Sequence, residues 1–130
     1  MKIALQNISV ITLFVNDPKV SKAFYESVFE VTTLFEDAAS AVLKFENMMI
    51  NLLQISSASE LIQPAGVALQ GSGSQFMFSI FVTDVDQALA ELKFKGVVML
   101  NGPINRVWGM RTICFADPDG HAWEIAQELR

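Results

Sequence analysis

The chain has 130 residues, of which 52% are hydrophobic and only 18% charged, which is enough apolar material for one domain or two small halves that share a core. Its net charge is −5, and its nine Lys and Arg residues are scattered, which argues against nucleic-acid binding because phosphate neutralisation needs concentrated basic residues. No apolar run reaches the roughly 18 residues that a membrane helix needs, so no membrane partner is expected.

The mean hydropathy of +0.37 is high for a small protein. Large apolar patches are rarely left uncovered, so this surplus predicts an oligomer interface or a ligand cavity. The single cysteine, Cys114, excludes an internal disulfide and a zinc site built on several cysteines. This cysteine usage favours a reducing cytoplasm.

Two segments share one pattern: an apolar strand ending in Phe-Val, a polar residue, an aspartate and then a helical pattern. They are "ITLFVNDPKVSKAFYESVFE", which begins at Ile11, and "FSIFVTDVDQALAELKFKG", which begins at Phe78. Asp17 in the first matches Asp84 in the second at an offset of 67 residues. This spacing indicates an internal repeat about half the chain long.

In the first half, Asp17 is predicted to cap a helix over Lys19–Phe29, with Pro18 at the first helical position, where a missing N–H costs nothing. Helical spacing of apolar residues predicts that this helix buries Val20, Ala23, Phe24 and Val28. Three strands are predicted to follow the helix, over Thr32–Glu36, Ser40–Phe45 and Met48–Gln54.

A linker over Ser56–Ser74, which carries Ser and Gly residues, Pro64 and the run "GSGS", is predicted to join the halves. In the second half, Asp84 caps a helix over Val85–Lys95, and Gly96 ends it. This helix is predicted to bury Val85, Ala88, Leu89 and Leu92. The strands predicted after it are Val97–Leu100, Arg111–Phe115 and Ala122–Gln127.

The repeat predicts an α+β fold of two βαβββ modules within one domain that spans residues 1–130. Module 1 covers about residues 5–56 and module 2 about residues 74–128. The helices are expected on one face of the sheet, which leaves the other face free to curl into a cleft.

Three stretches carry a resemblance to a known family: "LFVNDPKVSKAFY", "FVTDVDQALAELKFKG" and "WGMRTICFADPDGHAWEIAQ". They resemble the vicinal oxygen chelate superfamily, which includes glyoxalase I, bleomycin-resistance proteins, fosfomycin-resistance enzymes and extradiol dioxygenases. The resemblance covers nearly the whole chain, and it implies paired βαβββ modules with a U-shaped mixed sheet around a ligand site. Together with the apolar surplus, it also implies a homodimer.

Catalytic relatives bind one divalent metal, a Lewis acid for two neighbouring substrate oxygens, through His and Glu from the first and last strands of each module. The resemblance assigns these four positions to Val10, Asn51, Met77 and Glu124. Valine cannot bind a metal, methionine sulfur is a poor ligand for Mg, Mn, Ni or Zn, and an amide oxygen is weak. Only Glu124 is an ordinary ligand and a weak metal candidate, so no cofactor is expected, with a divalent metal as the alternative. Asn51 and Glu124 correspond if the Asp-Pro-Asp-Gly turn is a three-residue insertion.

Strand alternation predicts a mostly apolar cleft with a few polar groups, which is the usual make-up of a small-molecule pocket. The predicted lining is Val10, Thr12, Phe14, Asn51, Met77, Ser79, Phe81 and Glu124. Trp108 is expected at the cleft edge, against a partner subunit or in simple packing. A buried carboxylate needs a partner. For Glu124 the alternatives are an ion pair with Arg111, which would make the carboxylate structural, and a hydrogen-bond donor from a ligand.

His121, the only histidine, is interpreted as a turn residue rather than a general base, because no positioned partner is evident. No catalytic residue is assigned. The leading hypothesis is metal-independent binding of a small organic molecule, as in drug-sequestering bleomycin-resistance proteins, and the acidic net charge suits a cationic ligand. One alternative is a metal-dependent lyase, isomerase or dioxygenase with an atypical site. The other is a degenerate, non-catalytic subunit whose cleft is filled by Phe14, Met77 and Phe81.

Overall fold

The computed structural model describes residues 3–130; Met1 and Lys2, which the single-domain prediction includes, lie outside the described part. The chain divides into two compact units, with the boundary between Gln70 and Gly71. Each unit contains one four-stranded sheet. The fold is α+β and has the repeated βαβββ order that the sequence predicts. Within residues 3–130, no helix combines the length and the apolar character needed to cross a membrane.

The first unit contains β1 (Val10–Val15), α1 (Pro18–Phe29), β2 (Thr32–Glu36), β3 (Ser40–Lys44), β4 (Met49–Gln54) and α2 (Ile55–Ile62). Its sheet has the order β1-β4-β3-β2, with β1 parallel to β4 and the other pairs antiparallel. A parallel pair needs a long crossover. Here α1 carries the chain from β1 to the far edge, and two hairpins return it to β4.

The second unit contains β5 (Met77–Phe81), α3 (Val85–Phe94), β6 (Met99–Asn105), β7 (Met110–Ala116) and β8 (Ala122–Glu128). Its sheet repeats the plan with the order β5-β8-β7-β6, and β5 is parallel to β8. Apart from β6, the predicted elements of both units agree with the observed bounds to within one residue at each end.

Both aspartates of the repeat cap their helices as predicted. The side chain of Asp17 accepts a hydrogen bond from the backbone N–H of Lys19, and that of Asp84 accepts one from Gln87. A cap of this kind satisfies one of the N–H groups that the first helical turn leaves free. Gly96 lies just past α3 with a φ of +80°, the left-handed conformation that commonly ends a helix.

Strand alternation sorts the residues as predicted. One face of each sheet packs against helices, and its residues are buried: Leu13, Val15, Leu43, Ile50, Leu52, Ile113, Phe115, Trp123 and Ile125. The opposite faces carry exposed residues, and Met77 and Phe81 are 51% and 77% exposed. These opposite faces hold the eight predicted cleft-lining positions that lie in strands, but not Arg111 or Trp108.

The burial pattern of α1 differs from the prediction. Val20, which is 55% exposed, and Ala23 face outwards. The buried stripe consists of Pro18, Ser21, Tyr25 and Val28. These positions follow the three- and four-residue spacing of a helix, but Ser21 and Tyr25 are not recognisable as apolar residues in the sequence.

Two other differences concern elements that contain residues typical of loops. Helix α2 begins one residue before the predicted linker and occupies its first part. It buries Ala58, and it ends before Pro64, a residue that disfavours helix in its predecessor. Strand β6 runs to Asn105 rather than Leu100, and its register shifts on both sides of Asn101. The sequence does not predict this part of the strand because it contains Gly102 and Pro103, and such residues occur in strands mainly at bulges or edges.

Candidate functional site

A row of four side chains crosses the face of the second sheet that lies opposite α3. Ser79 of β5 pairs with Glu124 of β8, Glu124 pairs with Cys114 of β7, and Cys114 pairs with Asn101 of β6. Directly paired residues point to the same side of a sheet. The neighbouring row consists of Phe81, Ala126, Thr112 and Ile104. We refer to the surface formed by these two rows as the Glu124 face.

Glu124 is fixed by a hydroxyl rather than by a cation. The Ser79 hydroxyl donates to Glu124 Oε1 at 2.8 Å. Within the described residues 3–130, no basic side chain forms an ion pair with Glu124. The second carboxylate oxygen is therefore available to a hydrogen-bond donor from a ligand.

Of the alternatives for Glu124, the one in which Arg111 pairs with it is wrong. The Arg111 guanidinium donates to both carboxylate oxygens of Asp86, at 2.9 and 3.1 Å, and to Asn105 Oδ1 at 2.9 Å. These hydrogen bonds and the positive charge lower the pKa of Asp86. Arg111 is three residues before Cys114, the cross-strand partner of Glu124, so it points to the opposite, helix-bearing side of the sheet.

Small side chains surround Glu124. Ala122 and Ala126 lie two residues to either side of it on the same strand, and Cys114 lies beside it on the next. Burial and the negative charge of Glu124 raise the pKa of the Cys114 thiol, although Arg106 acts against this shift. A thiol with a raised pKa is a poor nucleophile near neutral pH. Cys114 therefore contributes a small, uncharged side chain beside the carboxylate.

An arginine that the sequence analysis did not single out lies on the same face. Arg106 Nε donates to the buried Thr112 hydroxyl at 3.0 Å, and Arg106 Nη2 donates to Asn101 Oδ1 at 3.4 Å. Its guanidinium carbon lies 5.8 Å from the centroid of the Trp108 ring, which is 67% exposed. The predicted site residue Trp108 thus lies beside a cation in the β6–β7 loop.

The first sheet has an equivalent row with different chemistry. Thr12 pairs with Asn51, Asn51 with Val42, and Val42 with Phe35. Asn51 Nδ2 donates weakly to Thr12 Oγ1 at 3.5 Å, and the buried Asn51 Oδ1 has no hydrogen-bond partner. Two further predicted residues, Val10 and Phe14, flank this row on the same side of β1. This row carries no formal charge.

Register confirms that Asn51 and Glu124 are equivalent, because their partners Thr12 and Ser79 differ by the repeat offset of 67 residues. The predicted place of the insertion is wrong. Asn51 follows its cross-strand partner Val42 by 9 positions, and Glu124 follows its partner Cys114 by 10. The Asp-Pro-Asp-Gly turn therefore adds one residue. The hairpin before it advances 7 positions in module 1 and 13 in module 2. This longer hairpin contains Arg106 and Trp108, and its extra length was the available signal for them.

The four positions that the resemblance assigns to metal ligands do not fit a divalent metal here. In the first unit they supply an alkyl group from Val10 and an amide from Asn51. In the second unit they supply a thioether from Met77 and one carboxylate from Glu124. A divalent-metal site of this kind needs three or four imidazole or carboxylate ligands.

A second group of potential ligand atoms lies in the β7–β8 turn, where those of Asp117, Asp119 and His121 fall within 4.8 Å of one another. The buried Asp117 carboxylate accepts from the backbone N–H groups of Asp119 and His121 at 2.9 and 2.8 Å. It also contacts His121 Nδ1 at 2.7 Å. These bonds organise the turn, so His121 is a turn residue as predicted, but the expectation that it lacks a positioned partner is wrong.

Comparison with known proteins identifies the family. The model of the glyoxalase/bleomycin resistance protein/dioxygenase superfamily matches residues 7–125, and the chain belongs to this superfamily. A glyoxalase/bleomycin resistance protein/dioxygenase from Nocardioides has a similar structure, with a TM-score of 0.88 and 21% identity over 99% of this chain and 87% of that one.

Two further solved structures are also similar. A virulence protein from Salmonella typhimurium is 26% identical, with a TM-score of 0.71 over 98% of this chain and 100% of that one. A lactoylglutathione lyase from Agrobacterium tumefaciens is 18% identical, with a TM-score of 0.74 over 95% of this chain and 94% of that one. At this identity, the likeness to the lyase establishes the fold alone.

Proposed function

We propose that this protein binds a small organic molecule on the Glu124 face without a bound metal. The observation that supports this most strongly is the environment of Glu124. Its carboxylate is oriented by Ser79, lies beside small side chains and forms no ion pair within residues 3–130. A carboxylate held in this way is suited to accept a hydrogen bond from a ligand hydroxyl or amine.

The surroundings favour an organic ligand over a metal ion. The exposed side chains of Met77 and Phe81 lie on the same face of β5 as Ser79 and offer apolar contact. A few polar groups within an apolar lining are typical of small-molecule sites. A hydrogen bond to a charged group contributes about 1.5–3 kcal/mol, which is enough for Glu124 to orient a weakly bound molecule.

A metal-dependent lyase, isomerase or dioxygenase is the second candidate. A lactoylglutathione lyase has the same fold, so the fold is compatible with this candidate. The donor set opposes it, because Val10 and Met77 occupy two of the four ligand positions. A degenerate, non-catalytic subunit is a third candidate, and it is disfavoured by the exposure of Met77 and Phe81, which are not packed into the face they would have to fill.

The proposal includes a cytoplasmic location and no nucleic-acid partner. A single cysteine, which cannot form an internal disulfide, suits a reducing compartment. The net charge of −5 would repel a phosphate backbone.

Binding with a chelator present tests the proposal. Cationic aromatic drugs and small metabolites are screened by thermal shift in EDTA, and calorimetry then gives the dissociation constant of each hit. We expect binding to persist in EDTA and to weaken at least tenfold in Glu124→Gln, about 1.4 kcal/mol. Glu128→Gln is the matched control. Glu128 lies four residues after Glu124 on the same strand, and the same change there should have no effect.

Two results would contradict the proposal. Ligands that bind Glu124→Gln as tightly as the unaltered protein would remove Glu124 from the site. Ligands whose binding disappears in EDTA and returns with a divalent metal would instead support the metal-dependent candidate.

A further inference from the structure

Arg106 is fixed in position without being neutralised. Its two hydrogen bonds, to the Thr112 hydroxyl and the Asn101 amide oxygen, use two of the five N–H groups of a guanidinium. Both acceptors are uncharged. Within the part of the chain that the structure describes, no carboxylate forms an ion pair with Arg106. The remaining N–H groups are therefore free to bind an anion.

Arg106 acts on the same face as Glu124. The hydroxyl that anchors it belongs to Thr112, which is two residues before Cys114 and so shares its side of β7. The backbone N–H of Arg106 also donates to the carbonyl of Met110 at 2.7 Å, which extends the β6–β7 pairing to this residue. The cation is thus part of the sheet surface.

The cation and the carboxylate lie on either side of Cys114. Asn101, which binds the Arg106 guanidinium, and Glu124 are the two cross-strand partners of Cys114. Neighbouring strands are about 4.8 Å apart, so the backbones at Asn101 and Glu124 are about 10 Å apart across the sheet. Both charges affect the intervening thiol, since Glu124 raises the pKa of Cys114 and Arg106 lowers it.

We propose that the ligand of the Glu124 face is a small organic anion that also carries a hydroxyl or amine. Its carboxylate binds the free N–H groups of Arg106, and its donor binds the free oxygen of Glu124 while the molecule lies over Cys114. A guanidinium favours carboxylates because its planar fork matches two oxygens at once. This inference rests on the proposed function and adds the chemical class of the ligand.

The equivalent face of the first unit lacks a counterpart of Arg106. Its equivalent row ends in Phe35 where the second unit has Asn101, and its hairpin advances 7 positions rather than 13. The additional residues of the β6–β7 hairpin supply the arginine and the adjacent Trp108. The net charge of −5 favours a cationic ligand, but Arg106 would repel a purely cationic one at this face.

A matched panel of compounds tests the ligand class. It contains 3-phenyllactate and phenylalanine, the methyl ester of each, and 3-phenylpropionate, which lacks both donors. Calorimetry in EDTA should give dissociation constants at least tenfold lower for the two acids that carry a donor than for their esters. Arg106→Gln should abolish this preference for the acids, and Arg106→Lys should restore part of it.

The controls separate local recognition from general charge. Lys93→Gln removes one positive charge from an exposed position of α3 and should leave all the constants unchanged. Glu124→Gln should reduce the advantage of 3-phenyllactate over 3-phenylpropionate. Thermal unfolding of each variant confirms that the binding changes do not reflect loss of the fold.

Three outcomes would overturn the inference: no acid of the panel binds, the esters bind as tightly as the acids, or Arg106→Gln keeps the preference. If neutral or cationic compounds from the first screen still bind in a Glu124-dependent way, this inference alone fails. If no compound of either panel depends on Glu124, the proposed function fails with it.

Discussion

Single residues decide the chemistry of the last turn and the last strand. Asp117 is buried, and it receives two backbone N–H groups and the ring of His121. The sequence shows a tight acidic turn followed by a carboxylate in an apolar strand. The structure separates the two roles, because Asp117 organises the turn whereas Glu124 remains available on the sheet surface.

The pH dependence of stability should report the contact between Asp117 and His121. Burial alone would lower the pKa of His121, but the hydrogen bond to Asp117 and the charges of Asp117 and Asp119 outweigh it, so the pKa is raised. The protonated ring is thus favoured in the folded state. Its stabilisation is complete below the unfolded pKa of about 6.5 and is lost as the pH rises through the folded pKa.

His121→Gln should therefore lower the free energy of unfolding by about 1.5 kcal/mol at pH 6 and by less at pH 9. Urea denaturation at the two pH values measures the difference. An equal loss at both would mean that the charge of His121 contributes nothing to stability.

The limits of sequence reading are clear at Arg111 and Glu124. Alternation correctly placed Glu124 opposite the buried Trp123 and Ile125. It could not fix which residue of β7 lies beside Glu124, because that depends on the length and bulges of the intervening turn. The observed register pairs Cys114 with Glu124 and turns Arg111 towards Asp86.

Among the elements, the β6–β7 hairpin distinguishes the two modules. The sequence predicted most helices and strands because aspartate caps and apolar alternation are local signals. It missed most of β6 because Gly102 and Pro103 are typical of loops, and it missed α2 because serines obscured the helical pattern. Arg106 was not predicted as a site residue because it lies in the hairpin that was not predicted.

Gly102 should be required for this hairpin. It has a φ of +98°, and a Cβ there would lie 2.5 Å from the Thr112 carbonyl oxygen and 2.8 Å from the Ile113 Cα. Both contacts are with backbone, which cannot move aside as the end of a side chain can. Gly102→Ala should lower the free energy of unfolding by about 3 kcal/mol or more, from overpacking added to a strained conformation.

Gly109→Ala provides the matched control. Gly109 has a similar φ of +91°, but no atom lies within 4 Å of an added Cβ, so only the conformational cost of about 1 kcal/mol remains. Chemical denaturation measures both variants. Equal losses would show that the close approach to β7 does not constrain the hairpin.

At the scale of the whole molecule, the repeat produced two units with one topology and different surfaces. The fold was predictable because both copies keep the caps and the strand pattern. The candidate site was only partly predictable, since the residues proposed to bind the ligand are a carboxylate and an arginine from a hairpin extension, and the first copy lacks both. The parallel strand pairs keep the same register in both modules, so the modules differ in the hairpins between them.

The apolar surplus leads us to predict a homodimer. Val98 and Val107 of the second unit are 78% and 100% exposed, and contact with a second copy would remove them from water. Sedimentation velocity should give a mass twice the 14.4 kDa of one chain. Val98→Asp combined with Val107→Asp should shift the mass towards that of a monomer. A monomer at all concentrations of the unaltered protein would contradict the prediction.

Metal content tests the central claim most directly. The purified protein is incubated with Mg, Mn, Fe, Ni and Zn, freed of excess metal and subjected to elemental analysis beside Glu124→Ala. Because one carboxylate cannot complete a divalent-metal site, we predict far less than one metal per chain and the same value in the variant. About one metal per chain, lost in Glu124→Ala, would contradict the account and identify the Glu124 face as part of a metal centre.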